Sequence, residues 1–265
     1  MTFPESIKLS GASPIVIKCG RDLTPNLEQI KKNITKKTKA IVINSPNNPS
    51  GEVYPKELFK NIINLCIEHD IYLISDEAYI DLVFEGEKPN YLFHDYPEAF
   101  ENIITTRTFS KTYSLTGFRT GFTVASSKII SHLNKLQGHI TGNNCTFSQY
   151  GASAALKIDE EVINHKIDSF KERRDIAFEI INPCLPLKKP RGSFYLFPSI
   201  EEFLLPQESC LDFCDKLLLE KNVAILPGSA FGHAGHIRIA FTASLEEVKL
   251  GCQRIVDFIK ERQAK

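Results

Sequence analysis

The first half of the chain alternates between short apolar runs and amphipathic stretches. "SPIVIK" (13–18), "KAIVINSP" (39–46), "IYLISDEAY" (71–79), "NIITTRTFS" (102–110) and "GFTVAS" (121–126) read as strands. Between them, "NLEQIKKNI" reads as a short helix. "PKELFKNIINLCIEHD" (55–70) places Leu58, Ile62, Leu65 and Cys66 on one helical face, with Pro55 suited to the first turn. Continuous apolar strands separated by helices predict an α/β fold with a mixed, mostly parallel sheet covered by helices.

From about residue 127 the pattern changes. "KIISHLNKLQGHI" and "CTFSQYGASAALKI" look helical, and "EEVINHKIDSFKERRDIAFEII" (160–181) predicts a long charged helix able to bridge two domains. "SFYLFP", the helix "CLDFCDKLLLEKN", the strand "HIRIAFT" and a last helix follow. In that last helix positions 248, 252, 255, 256 and 259 form an apolar stripe. The expected organisation is a large domain over 1–165 and a smaller α+β domain over 166–265.

Composition narrows the function classes. The 265 residues are 42% hydrophobic and 24% charged, with a net charge of +0. That balance gives no basic excess for nucleic acid and no basic amphipathic helix for a membrane surface. The stretch "MTFPESIKLSG" lacks the layout of a signal peptide, and no apolar run approaches the length of a spanning helix. The seven cysteines are scattered, odd in number and without a C-x-x-C, so they are expected as reduced, buried thiols rather than zinc ligands. His233 and His236 form an H-x-x-H on a glycine-rich loop with no third ligand in view, so no metal is expected.

Three predicted strands end in polar clusters: "NSPNNPSG", "SDEAY" and "FSK". Open α/β sheets bind ligands beyond the carboxyl ends of their strands, so three such ends point to one site. The third continues as "TFSKTYSLTGFRTGF", with Lys111 and Arg119 eight residues apart among hydroxyls. An ordinary surface loop is one reading; a site for a phosphorylated ligand with a reactive lysine is the other.

"NSPNNPSG", "SDEAY", "TFSKTYSLTGFRTGF" and "HIRIAFTAS", in this order, with "RGSFYLFP" and "ILPGSAFG", resemble a fold-type I pyridoxal-phosphate aminotransferase. The nearest group is the class I aspartate/aromatic transaminases. The resemblance implies pyridoxal 5'-phosphate as cofactor, and an amino acid and a 2-oxo acid as substrates. It also implies a cytoplasmic homodimer.

The resemblance implies a role for each matched residue. Lys111 is the lysine that holds the cofactor aldehyde and moves the substrate α-proton. Asp76 faces the pyridine nitrogen and keeps it protonated. Tyr79 and Asn48 hydrogen-bond the ring oxygen, with Asn48 also toward substrate. Arg119 pairs with the phosphate, while Thr108 and Ser110 add hydroxyls and Gly117 and Gly121 let the backbone turn. Arg238 takes the substrate α-carboxylate in a bidentate grip. No second arginine for an acidic side chain is identified, so aspartate, aromatic or other neutral amino acids are expected, with 2-oxoglutarate as partner.

Each residue also has a plainer reading: a solvated lysine, a strand-end acid, a turn asparagine, a core tyrosine, a surface arginine. A carbon–sulfur lyase or decarboxylase on the same scaffold, the sensor half of a transcription regulator, and an inactive remnant are the alternative functions. The resemblance further implies about 120 residues upstream of this sequence, carrying a phosphate loop, a ring-stacking aromatic and part of the small domain. Little activity is expected of a chain without them.

Overall fold

The computed structural model describes residues 2–20, 22–86 and 89–263. The strands are β1 (Ala40–Asn44), β2 (Tyr72–Asp76), β3 (Ile103–Thr108), β4 (Gly121–Val124), β5 (Tyr195–Leu196), β6 (Leu226–Pro227) and β7 (Ile237–Ala240). The helices are α1 (Thr2–Leu9), α2 (Leu27–Asn33), α3 (Lys56–Glu68), α4 (Leu92–Asp95), α5 (Phe109–Thr112), α6 (Ser127–Ile140), α7 (Thr146–Ala155), α8 (Glu160–Ile181), α9 (Cys210–Lys221) and α10 (Leu245–Gln263). None of these helices is long and apolar enough to cross a membrane. Two compact units divide the chain. One comprises Thr24–Asn47 and Val53–His165; the other comprises Met1–Leu23, Asn48–Glu52 and Lys166–Lys265.

In the first unit the sheet order is β1-β2-β3-β4. The first three strands are parallel, which requires crossovers through α3 and the 80–102 segment, and β4 closes antiparallel to β3. Leu73 and Ser75 of β2 and Ile103 and Thr105 of β3 fill one face, while the alternate positions are half-buried. α3 starts after Pro55, whose extended backbone stands at the cap, and buries Phe59, Ile62, Ile63, Leu65 and Cys66. Leu58, expected on that face, is half-buried, because the stripe centres one residue later on Phe59. Gly121 has no room for a side chain: a Cβ there would stand 2.4 Å from the Arg107 carbonyl oxygen, so its absence lets β4 approach β3.

In the second unit three short antiparallel strands run in the order β5-β7-β6. α9 begins with a capping box in which Ser209 and Asp212 satisfy each other's backbone N–H. Its Phe213 meets Phe258 of α10 edge-on at 5.2 Å. Arg174 of α8 is fully buried, held by Asp175 at 2.6 Å and by the Pro190 carbonyl at 3.1 Å. The 48–52 segment belongs here because Arg191 and Gly192 donate backbone N–H to the Gly51 carbonyl at 3.1 and 2.9 Å. Gly51 adopts φ +71°, and a Cβ would stand 2.4 Å from Pro190.

One expected strand is absent. "SPIVIK" (13–18) is irregular, with Ile15 and Val16 65% and 67% exposed. Of the seven free cysteines four are buried, but Cys145, expected inside, is exposed at the start of α7.

The centre of the sheet sets a stability expectation. Leu73→Ala, at a fully buried β2 position, should lower the unfolding free energy by about 2–5 kcal/mol in urea titrations. Leu219→Ala, 81% exposed on α9, should change it by less than about 0.5 kcal/mol.

Candidate active site

The parallel ladder puts Asn44, Asp76 and Thr106 side by side, so the chain leaves three neighbouring strands at one edge. Asn44 donates its side-chain amide to the Asp76 carbonyl at 3.0 Å, extending the ladder by one side-chain bond. The Asp76 carboxylate accepts from the Ala78 N–H at 3.1 Å. Burial pushes its pKa up, and the Ala78 bond opposes that. The turn beyond is closed by Ile80 N–H on the Glu77 carbonyl and Leu82 N–H on the Tyr79 carbonyl, at 3.1 and 2.9 Å. It carries Tyr79 into a buried position, and Lys111 Nζ lies 5.9 Å from the centre of that ring.

Lys111 stands on α5, a single turn. Thr108 caps it, accepting from the Ser110 N–H at 3.1 Å and donating its hydroxyl to Ser110 Oγ at 2.9 Å. Phe109 anchors the turn in a cluster with Ala152 and Ala155 of α7, joined by Tyr113 and Leu115. Phe109 N–H donates to the Thr120 carbonyl at 3.2 Å, and Thr116 donates its hydroxyl to the Ser110 carbonyl at 3.0 Å. These bonds close the 109–119 loop, so Arg119 returns beside the end of β3. Arg119 is exposed and gives one N–H to the Thr116 carbonyl at 3.1 Å. The expected glycine turns are made differently. Ser114 and Arg119 take the left-handed backbone, at φ 55° and 53°, while Gly117 has a negative φ and open space around its Cα.

Asn48 and Arg238 meet in the other unit. Arg238 Nη1 donates to Asn48 Oδ1 at 2.9 Å. Its guanidinium lies 4.3 Å from the centre of the Tyr195 ring and 5.0 Å from that of Phe231. Ile237 and Ile239 point to the opposite face of β7 and are buried. Arg238 Nε is buried with no hydrogen-bond partner. A positive, planar group between aromatic walls with an open buried donor is suited to an incoming carboxylate.

Several contributors escaped the sequence reading. Tyr195 and Phe231 wall Arg238, and Asn44 supports Asp76. Arg107 pairs with the buried Glu77 at 2.8 Å and lies 5.3 Å from the Tyr91 ring, binding the ends of β2 and β3 on the face opposite Asp76. The only sequence hint was an arginine inside an apolar strand beside an Asp–Glu doublet. His233 and His236 lie 5.4 Å apart, with Phe197 stacked on His236. Burial pushes His236 down, helped by His233. Among the described residues no three His, Cys, Asp or Glu side chains gather as a metal site.

Comparison with known proteins follows the same line. The family profile for aminotransferase class I and II matches residues 2–255. Aspartate aminotransferase of Thermotoga maritima is 35% identical over 99% of this chain and 67% of its own length. Aromatic-amino-acid aminotransferase 2 of Thermococcus litoralis is 31% identical over 99% of this chain and 68% of its own. The crystal structure of the Thermotoga maritima aspartate aminotransferase superposes with a TM-score of 0.90, covering 98% of this chain and 67% of that one at 35% identity. An aromatic aminotransferase structure from Pyrococcus horikoshii gives 0.92 at 34% identity, covering 99% and 71%. The chain spans about two thirds of the length of these relatives.

Asp76 makes a pH-dependent contribution that can be measured without ligand. Its folded pKa lies above the unfolded value, so the native state holds the proton more tightly. The carboxyl therefore weighs against folding as pH rises from the ordinary aspartate range through the raised value, and not below it. In the ligand-free chain Asp76→Asn should raise the urea midpoint at neutral pH, and the gain should vanish below about pH 4.

Proposed function

The chain belongs to the class I and II aminotransferase family, and we propose that it is a pyridoxal-phosphate enzyme exchanging amino and oxo groups between an amino acid and a 2-oxo acid. Aspartate, aromatic or other neutral amino acids are the proposed donors, with 2-oxoglutarate as a partner. The observation that carries this reading is Lys111, 5.9 Å from the centre of the buried Tyr79 ring, on the same edge as the half-buried Asp76. Relatives named as aspartate and aromatic aminotransferases support the substrate class. The donor set fits the cofactor: an amine, a carboxyl, hydroxyls and a guanidinium lie within residues 76–119 of one unit.

Bound pyridoxal phosphate would supply an aldehyde for an amine and a ring that accepts the electron pair released at the substrate Cα. Lys111 would hold that aldehyde. Once a substrate amine displaced it from the aldehyde, its Nζ would be free to move the proton off the substrate Cα, and to move a proton the other way in the second half of the exchange. Asp76, whose carboxyl burial makes more basic, would pair with the ring nitrogen and keep a proton there. Tyr79 would donate to the ring oxygen, a role that the resemblance implies for Asn48 as well. Ser110, Thr108 and Arg119 would take the phosphate, the arginine as a charged fork. Arg238 would bind the substrate carboxylate, using its open Nε, with Tyr195 and Phe231 excluding water from that ion pair.

A cytoplasmic homodimer completes the proposal. Seven free thiols suit a reducing compartment. The exposed Leu136 and Ile140 of α6 and Phe147 and Tyr150 of α7 give apolar surface for a second copy.

Incubation with pyridoxal phosphate followed by borohydride should fix the cofactor on the peptide containing Lys111, as read by mass spectrometry. Lys111→Ala should abolish amino-group transfer. Labelling of a different lysine would contradict the reading.

Arg238→Lys should raise KM by about 10- to 100-fold for every amino acid substrate, as expected for losing a charge-assisted, two-point grip. Steady-state kinetics across acidic, aromatic and aliphatic substrates checks this. An effect confined to acidic substrates would rule out a role at the shared carboxylate.

A further inference from the structure

A lysine on a one-turn helix needs outside support to point anywhere reproducibly. Forming a first helical turn is unfavourable by itself, and α5 has only four residues. Its first half is tied down by the Thr108 cap, by Phe109 in its cluster and by the backbone bond from Phe109 to Thr120. Its second half leads straight into Tyr113 and the left-handed Ser114, where the chain turns away. Lys111 lies in that second half.

The tie there is a side-chain bond to another segment. Thr112 is buried and donates its hydroxyl to the Asp81 carboxylate at 2.8 Å. A hydroxyl on a carboxylate at this distance is a charge-assisted bond, stronger than a neutral one. Asp81 lies two residues beyond Tyr79, in the turn closed by the Ile80 and Leu82 backbone bonds. The bond therefore joins the residue after Lys111 to the turn that carries Tyr79. Adjacent residues of one helical turn have a fixed angular relation, so fixing Thr112 also fixes the Cα–Cβ direction from which the Lys111 chain reaches toward Tyr79.

We propose that Asp81 and Thr112 form a positioning pair that registers Lys111 over Tyr79, and so sets how readily its amine captures the cofactor. The inference rests on the reading of Lys111 as the cofactor-holding lysine. Neither member of the pair touches the reacting atoms.

Three substitutions in the full chain separate positioning from bulk stability. Thr112→Val keeps the shape and removes the hydroxyl, Thr112→Ser keeps the hydroxyl, and Asp81→Asn keeps an acceptor without the charge. The first readout is the rate at which pyridoxal phosphate is fixed on Lys111 by borohydride quenching. The second is the rate at which acetic anhydride labels Lys111 without cofactor. Thr112→Val should capture the cofactor about tenfold more slowly, Thr112→Ser within about twofold of the parent, and Asp81→Asn in between. Acetylation should rise at Lys111 alone in Thr112→Val while capture falls, whereas a merely loosened fold raises labelling of lysines across the chain. Asp81→Asn reads the same coordinate should Thr112→Val fail to fold. Capture on Lys111 at the parent rate in the folded variants would overturn the positioning pair alone. Capture on a different lysine in the parent chain would overturn the cofactor reading and this proposal with it.

Discussion

The register of three parallel strands governs what this chain can do. Asn44, Asp76 and Thr106 are locked in line by the β1–β2–β3 ladder. Parallel strands cannot be joined by hairpins, so every strand must exit at the same edge and return by a crossover. The segments that follow are thereby delivered to one place: the turn bearing Tyr79 and the loop bearing Lys111 and Arg119. A slip of one residue in β2 would turn Asp76 to the other face and put Glu77 in its place. Much of the local bonding resists such a slip. Asn44 extends the ladder past its end through the Asp76 carbonyl, the Glu77 N–H bonds the Thr106 carbonyl at 2.9 Å, and Arg107 ties Glu77 from the next strand.

Arg238 is prepared by a different device. The β5-β7-β6 sheet is short, and its central strand buries isoleucines on one side of the arginine and leaves it among aromatic rings on the other. Asn48 reaches it across 190 residues of sequence, from a five-residue segment fastened at Gly51 to the backbone of residues 191 and 192. The glycine is needed because any side chain would collide with Pro190. Rigid walls and a fixed partner hold the guanidinium at little entropic cost on binding, which favours carboxylate recognition by shape as well as by charge.

Much of this was legible in the sequence where a local pattern and its partner agreed. The runs at 39–46, 71–79 and 102–110 became strands because each had a neighbour to pair with. "SPIVIK" has the same composition and did not, since an apolar β-branched run is a strand only where a ladder receives it. The stripe expected of α10 is found, with positions 248, 252, 255, 256 and 259 all buried, and Phe258, outside it, is buried too against Phe213. The turn chemistry of the lysine loop was less legible: Ser114 and Arg119 take left-handed backbone at a glycine-containing turn because tertiary bonds on both sides over-determine it. Contacts such as Tyr195 and Phe231 on Arg238, or Thr112 on Asp81, leave no periodicity to read. They join segments far apart in sequence, and only the folded chain brings them together.

The energetic signature of a polar residue differs from its charge signature, and Asp76 and Arg238 show how. Asp76 carries a carboxyl that burial makes reluctant to ionise, and Arg238 carries a buried N–H with no acceptor. Leaving a polar group short of a partner inside a fold costs roughly 1–3 kcal/mol, a large share of the stability of a typical domain. Asn90 Oδ1 and Ser193 Oγ are buried without a partner as well, so the cost is not confined to proposed ligand positions; on the proposed reading an incoming anion would complete the bonding of Arg238. Arg119 is exposed and bears no such cost, so its proposed role rests on the resemblance of "TFSKTYSLTGFRTGF" and on the closed loop that returns it to the β3 end. Unsatisfied burial at Arg238 supports the role that the motifs propose for it.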